Sequence, residues 1–132
     1  MPTIFSKIID GKIPCYKVAE NKDFLAFLDI NPNALGHTLC IPKKEVDDIL
    51  ELDQETYQNL MLFSRQVALS IKNVVSCKKV SISVIGLEVP HVHVHLISIN
   101  EMKDANFSNK VSLKDVDFIS TARLISNAFK SL

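Results

Sequence analysis

The sequence predicts an α+β fold, with an antiparallel sheet of about five strands, one long central helix and a C-terminal helix. Three features of its 132 residues carry that expectation. The first third holds strand-length apolar runs broken by turn residues. The centre switches to three-four spacing over about five turns. Beyond it the period returns to two, and a last helical stretch closes the chain.

The opening third reads as short strands, with Asp10-Gly11 and Ile13-Pro14 marking turns. Phe24 to Ile30 is an apolar run of strand length, stopped by Asn31-Pro32-Asn33. After Gly36, Thr38 to Ile41 reads as the antiparallel return, closed by Pro42. Asp53 is the expected cap of a helix with apolar or small positions at Tyr57, Leu60, Met61, Ser64, Val67, Ala68, Ile71, Val74 and Val75. Val80, Ile82 and Val84 alternate with Ser81 and Ser83, the pattern of a half-buried strand. A tight connection, Gly86 to Pro90, leads to a strand from His91 to Ile99. The polar, irregular stretch 100–111 has two readings, a segment that closes over the leaving-group side or a plain join from strand to helix, and the plain join is preferred. Ser112-Leu113-Lys114-Asp115 resembles a capping box for the last helix, apolar at Leu113, Val116, Ile119, Leu124, Ile125, Ala128 and Phe129.

Bulk composition narrows the function. With 47% hydrophobic and 23% charged residues, and no repeat or low-complexity tract, residues 1–132 are expected to form one globular domain. Lysine plus arginine balances aspartate plus glutamate at 15 each. A protein that neutralises a nucleic acid duplex carries a basic surplus instead, so no duplex partner is expected. Lys43-Lys44 and Lys78-Lys79 read as solvated surface. No apolar run approaches membrane-spanning length, and Met1 to Phe5 lacks a secretory pattern. Cys15, Cys40 and Cys77 are odd in number and far apart, which reads as reduced thiols in a cytoplasmic protein.

The chemistry concentrates in His91-Val92-His93-Val94-His95-Leu96-Ile97. Alternate strand residues share a face, so three imidazoles line one side at ~6.6 Å intervals while Val92, Val94 and Leu96 face the core. The fourth histidine, His37, sits in the loop before a strand. A row of unpartnered buried rings would cost free energy, so a functional role is expected. Two roles fit the spacing. One is metal ligation by neutral imidazoles. The other is covalent phosphoryl chemistry, with one imidazole as nucleophile and protonated neighbours offsetting phosphate charge.

These residues resemble the histidine triad (HIT) family, whose signature is three histidines alternating with apolar residues. The similarity spans roughly residues 3 to 99 and takes in Ile4 to Pro14, Ala26 to Pro32, Gly36 to Lys44 and Val89-Pro90. It implies a HIT-like fold and a nucleotide hydrolase or transferase without a cofactor. It implies that His93 attacks the α-phosphorus of a purine nucleotide derivative, a phosphoramidate or a dinucleoside polyphosphate. His95 and His37 would meet the phosphate oxygens, and His91 would orient the site. The His91 carbonyl would accept a hydrogen bond from His93 Nδ1, leaving Nε2 to attack. Asp29 matches the acid that holds the ribose, and Phe5, Ile8, Phe27 and Ile30 match the apolar slot for the base. A homodimer built around the long helix, its two sheets continuing across the interface, is the implied assembly.

The chain departs from that pattern twice. Where many relatives hold a structural zinc, Thr3, Ser6 and Glu45 stand beside His91, so no metal is expected. The connection before the triad, Ile85 to Glu88, lacks the asparagine and glutamine amides that help hold phosphate and leaving group in relatives. That shortening motivates an alternative, a nucleotide-binding module with little or no activity.

Overall fold

The computed structural model describes residues 2–132. Its sheet has five strands in the order β1 (Lys17–Glu20), β2 (Phe24–Leu28), β3 (Thr38–Pro42), β5 (Val94–Ile99) and β4 (Lys79–Ser83), every pair antiparallel. Helices α1 (Ile4–Ile9), α2 (Gln54–Val74) and α3 (Asp115–Lys130) complete the α+β fold.

The first helix corrects the expectation of strands at the N-terminus. Phe5, Ile8 and Ile9 have the three-four spacing of one helical face, and they cluster with Leu25, Phe27, Leu39 and Ile41 on the sheet. Thr3 caps the helix, its hydroxyl accepting from the Ser6 amide at 3.1 Å. Gly11, at φ +77°, turns the chain away after the last turn.

The opposite sheet face carries the larger core. Val92, Val94 and Leu96 point into it, as the alternation requires, together with Leu60, Val67 and Ile71 from α2 and Phe118, Ala122 and Ile125 from α3. Asp53 caps α2 through the Thr56 amide. Residues 112–115 do not form the cap expected of them. The N-cap is Lys114, whose amide donates to Asp117 Oδ2 at 3.0 Å. Starting there, α3 buries Phe118, Thr121, Ala122 and Ile125, and leaves Val116, Ile119 and Leu124 exposed. Tyr16 stacks on Phe118 at 5.0 Å, which fixes that rotation.

Strand β5 begins at Val94 rather than His91. Its partner β3 ends at Pro42, which cannot donate to a ladder, and the Val92 amide turns instead to the Val46 carbonyl at 2.8 Å. The three histidines nevertheless keep their common face. In β4, Val80 is half-buried but Ile82 is exposed.

Candidate active site

Each member of the imidazole row has a tautomer dictated by its neighbours. His91 is wholly buried, and His93 and His95 are 7% and 8% exposed. His91 Nε2 lies 2.8 Å from the Pro42 carbonyl, which can only accept, so Nε2 carries the proton. Nδ1 then accepts from the Thr3 hydroxyl at 3.1 Å. Glu45 Oε1 gathers the Thr3 amide at 3.0 Å and the Ser6 hydroxyl at 2.8 Å. Thr3, Ser6, Glu45 and His91 therefore form one hydrogen-bonded clasp. Two hydroxyls, a carboxylate and an imidazole engaged at both nitrogens do not fit a tetrahedral zinc site of thiolates and free imidazoles.

His93 Nδ1 donates to the His91 carbonyl at 2.7 Å. Its Nε2 consequently holds the lone pair. The Phe5 ring backs it edge-on, centroids 4.9 Å apart.

The other end runs as a relay. The Asn33 amide donates to His37 Nδ1 at 3.0 Å, so His37 Nε2 is protonated and donates to His95 Nδ1, also at 3.0 Å. His95 must then present an Nε2–H donor beside His93, their rings 4.9 Å apart. Burial, with the positive charges of neighbours second, pushes His37 down to about 3 and His95 down to about 4. Burial also lowers His91. These rings are neutral at pH 7, which corrects the expectation of protonated imidazoles beside the nucleophile. They act as oriented N–H dipoles.

Asp29 Oδ1 accepts from the Asn31 amide at 2.9 Å, and Oδ2 lies 3.6 Å from His37 Nε2. With His37 neutral that approach is a dipolar contact. Burial raises the Asp29 carboxyl above its ordinary value. Among the described residues, Asp29, His37 and His95 are the group whose donor atoms converge closely enough for a metal ion, within 4.8 Å of one another. The two imidazole nitrogens in that group already share a proton.

The HIT domain pattern matches residues 10–102. The chain belongs to the HIT family. It is 35% identical over 122 residues to a HIT-like protein of Mycoplasma genitalium, covering 85% of this chain and 86% of that one. An adenosine 5'-monophosphoramidase of Schizosaccharomyces pombe is 38% identical over 101 residues, 74% of each chain. Among solved structures, a histidine triad nucleotide-binding protein of Sulfolobus tokodaii superposes with a TM-score of 0.86 at 30% identity, covering 97% of this chain and 92% of that one.

Within this HIT chain the remaining sequence-predicted residues lie at different depths. Phe5 and Phe27 are buried against each other, centroids 5.7 Å apart, and Ile8 packs on the same cluster. Ile30 is 73% exposed in the loop after β2. Gly36, at φ +85°, turns that loop toward His37 in a conformation that disfavours a side chain. Ser98 ties the same loop to β5 through the Leu35 carbonyl at 3.1 Å.

Residues 100–111 depart from the preferred reading of a plain join. A short 3-10 turn, Met102–Ala105, leads to Phe107, whose ring sits edge-to-face on His95 at 4.7 Å and near His37 at 6.2 Å. Asn33 Nδ2 anchors this arm on the Asp104 and Asn106 carbonyls at 3.1 and 3.0 Å, and Lys110 Nζ donates to Asn33 Oδ1 at 2.9 Å. Phe107, Lys110 and Asn33 were not expected at the site. The available signal was Phe107 as the one aromatic in an otherwise polar stretch. No helix of the described residues is long and apolar enough to cross a membrane.

Proposed function

We propose that this HIT protein is a nucleotide hydrolase or transferase acting at the α-phosphate of purine nucleotide derivatives through a covalent nucleotidyl-His93. The observation that carries the reading is the 2.7 Å hydrogen bond from His93 Nδ1 to the His91 carbonyl. It selects the neutral tautomer in which Nε2 carries the lone pair and points away from the backbone.

The chemistry balances with His93 as nucleophile and solvent as the source and sink of protons. His93 Nε2 forms a bond to phosphorus while the bond to the leaving group breaks, and its electron pair departs with that group. For an amine leaving group, the departing nitrogen takes a proton from solvent while the neutral His95 donates a hydrogen bond toward it through Nε2–H. In the second step a water oxygen attacks phosphorus, the phosphorus–nitrogen bond breaks, and His93 recovers its lone pair. The water proton leaves to solvent. His37 keeps His95 in the required tautomer through the relay to Asn33.

A nucleoside phosphoramidate is the substrate class supported by the activity that names the S. pombe relative. In this reading Asp29 accepts from the ribose, and Phe5, Ile8, Phe27 and Ile30 form the apolar side for the base. His93→Asn is expected to lower turnover of adenosine 5'-phosphoramidate by at least about 10³-fold with nucleoside monophosphate binding retained. Turnover within a few-fold of the parent protein contradicts the mechanism. The amide-free connection at residues 85–88 favours the second reading, a binding module. Calorimetric binding of nucleoside monophosphates without hydrolysis of any substrate would support that reading.

Residues 1–132 act as one domain in this proposal, and two copies form a homodimer. Leu62 and Leu69 on α2 and Ile82 on edge strand β4 are large apolar side chains left exposed, which is what an interface around the long helix requires. Light scattering should return twice the chain mass. Cys15, Cys40 and Cys77 are free thiols, in keeping with a cytoplasmic enzyme.

A further inference from the structure

We propose that Lys110, seated on Asn33 and over the Phe107 ring beside His95, selects nucleotides whose leaving group is an anionic oxygen acid. The leaving-group class meant is a phosphate or a sulfate. The inference rests on the nucleotidyl-transfer reading above and adds the part of the substrate beyond the α-phosphate.

His91, His37 and His95 are held neutral, so they offer dipoles to an α-phosphate but no formal positive charge. Asp29 adds an acidic group to the site. The connection at residues 85–88 contributes no side-chain amide. Lys110 is the one lysine or arginine whose charge acts on Asp29, His37 and His95 alike. A second anionic centre on the substrate therefore has one cation to meet.

That cation, on an exposed side chain, is oriented by its contacts. The Asn33 amide cannot flip, because its nitrogen donates to two carbonyls, Asp104 and Asn106. Its Oδ1 thus faces Lys110 Nζ at 2.9 Å. The ammonium lies 5.3 Å from the centroid of Phe107, and Phe107 itself rests on His95. Asn33 is buried and its backbone amide holds His37, so one residue orients both the proton relay and the cation.

The two leaving-group classes then use different parts of the site. An amine departs only once it is protonated, with the His95 Nε2–H dipole directed at it. A phosphate or sulfate departs as an oxygen anion with the bonding electron pair, and the charge it develops is met by Lys110.

The test compares Lys110→Met, which keeps the length of the stem, with Lys110→Arg. Probes are ADP and adenosine 5'-phosphosulfate against adenosine 5'-phosphoramidate. Lys110→Met is expected to lower kcat/KM for both anionic leaving groups about tenfold more than for the phosphoramidate. Lys110→Arg should restore most of the difference, and added salt should erase it. An equal fall on all three probes, or no fall, overturns the proposal. A loss confined to ADP or to the phosphosulfate would narrow the class to that acid. Binding separates this proposal from the catalytic one. If the parent protein turns over none of the probes, the catalytic reading fails. Lys110 is then judged on whether the Met variant weakens ADP about tenfold relative to AMP, and equal weakening rejects it.

Discussion

At one end of the imidazole row His91 is tied by both nitrogens, to Pro42 and to Thr3, while at the other end His95 keeps its Nε2–H open beside His93. The first end is closed by residues near the N-terminus and after β3, and every polar atom of the ring is engaged. The second is held by a chain of N–H donors from Asn33 through His37, and is covered by Phe107. The difference separates two tasks. His91 serves as a fixed post whose carbonyl sets the His93 tautomer. His95 is a donor with its active proton directed at the reaction. A closed end should report mainly in stability and an open end mainly in rate.

The largest expected effect is on rate at the open end. His95→Asn removes the oriented Nε2–H donor, and turnover of a phosphoramidate should fall by about 10² to 10³-fold. A nucleotide ester with a phenol-type leaving group needs less hydrogen-bond assistance and should lose far less. Equal losses in steady-state assays on the two substrates would show that His95 does not act on the leaving group.

Acid should act next. His37 and His95 are depressed in the folded protein to about 3 and about 4, whereas unfolded histidine titrates near its ordinary 6.5. The folded state binds fewer protons, so its stability is complete above about pH 6.5 and declines as pH falls from there toward 4 and 3. Each ring contributes a slope of about 1.4 kcal/mol per pH unit across its window. Urea unfolding at pH 7.5 and pH 5 measures this, and His37→Asn should flatten the dependence.

How much of this was legible in sequence differs between the same two ends. The row of imidazoles, the β2–β3 return and the α2 cap at Asp53 follow from local spacing, and they stand as expected. The contact between His93 Nδ1 and the His91 carbonyl is implied by the family resemblance and not by spacing. The clasp joins Thr3 to His91 across 88 positions, and the arm joins Asn33 to Asn106 across 73. Hydrogen bonds of that separation leave no periodic trace. The misread elements have local explanations. Helix α1 is a single short turn pattern whose Phe5, Ile8 and Ile9 spacing is easily taken for an irregular strand. In α3 the buried face, Phe118, Ala122 and Ile125, is the one that packs on α2, the sheet and Tyr16, a tertiary choice among several apolar positions.

A smaller effect is expected at Gly36, which delivers His37 to the open end. Gly36→Ala meets both a φ of +85° and Val75 Cγ2 at 3.0 Å from the new Cβ. Thermal or urea unfolding should show a loss of roughly 1–3 kcal/mol. A neutral result would mean that the loop shifts freely.

The mildest change belongs to the closed end. Thr3→Val removes both the α1 cap and the partner of His91 Nδ1, and should cost about 1–2 kcal/mol in urea unfolding. Its kcat should move only a few-fold, with Thr3→Ser restoring both. A large rate loss at full stability would reverse the assignment of the two ends.

The most direct measurement is acid-quenched mass spectrometry of the protein during turnover of adenosine 5'-phosphoramidate. It should detect protein carrying one adenylyl group, mapped to the peptide with His93 and absent from His93→Asn. Continued turnover with no adduct at any quench time, or an adduct that persists in the Asn variant, would contradict attack by His93.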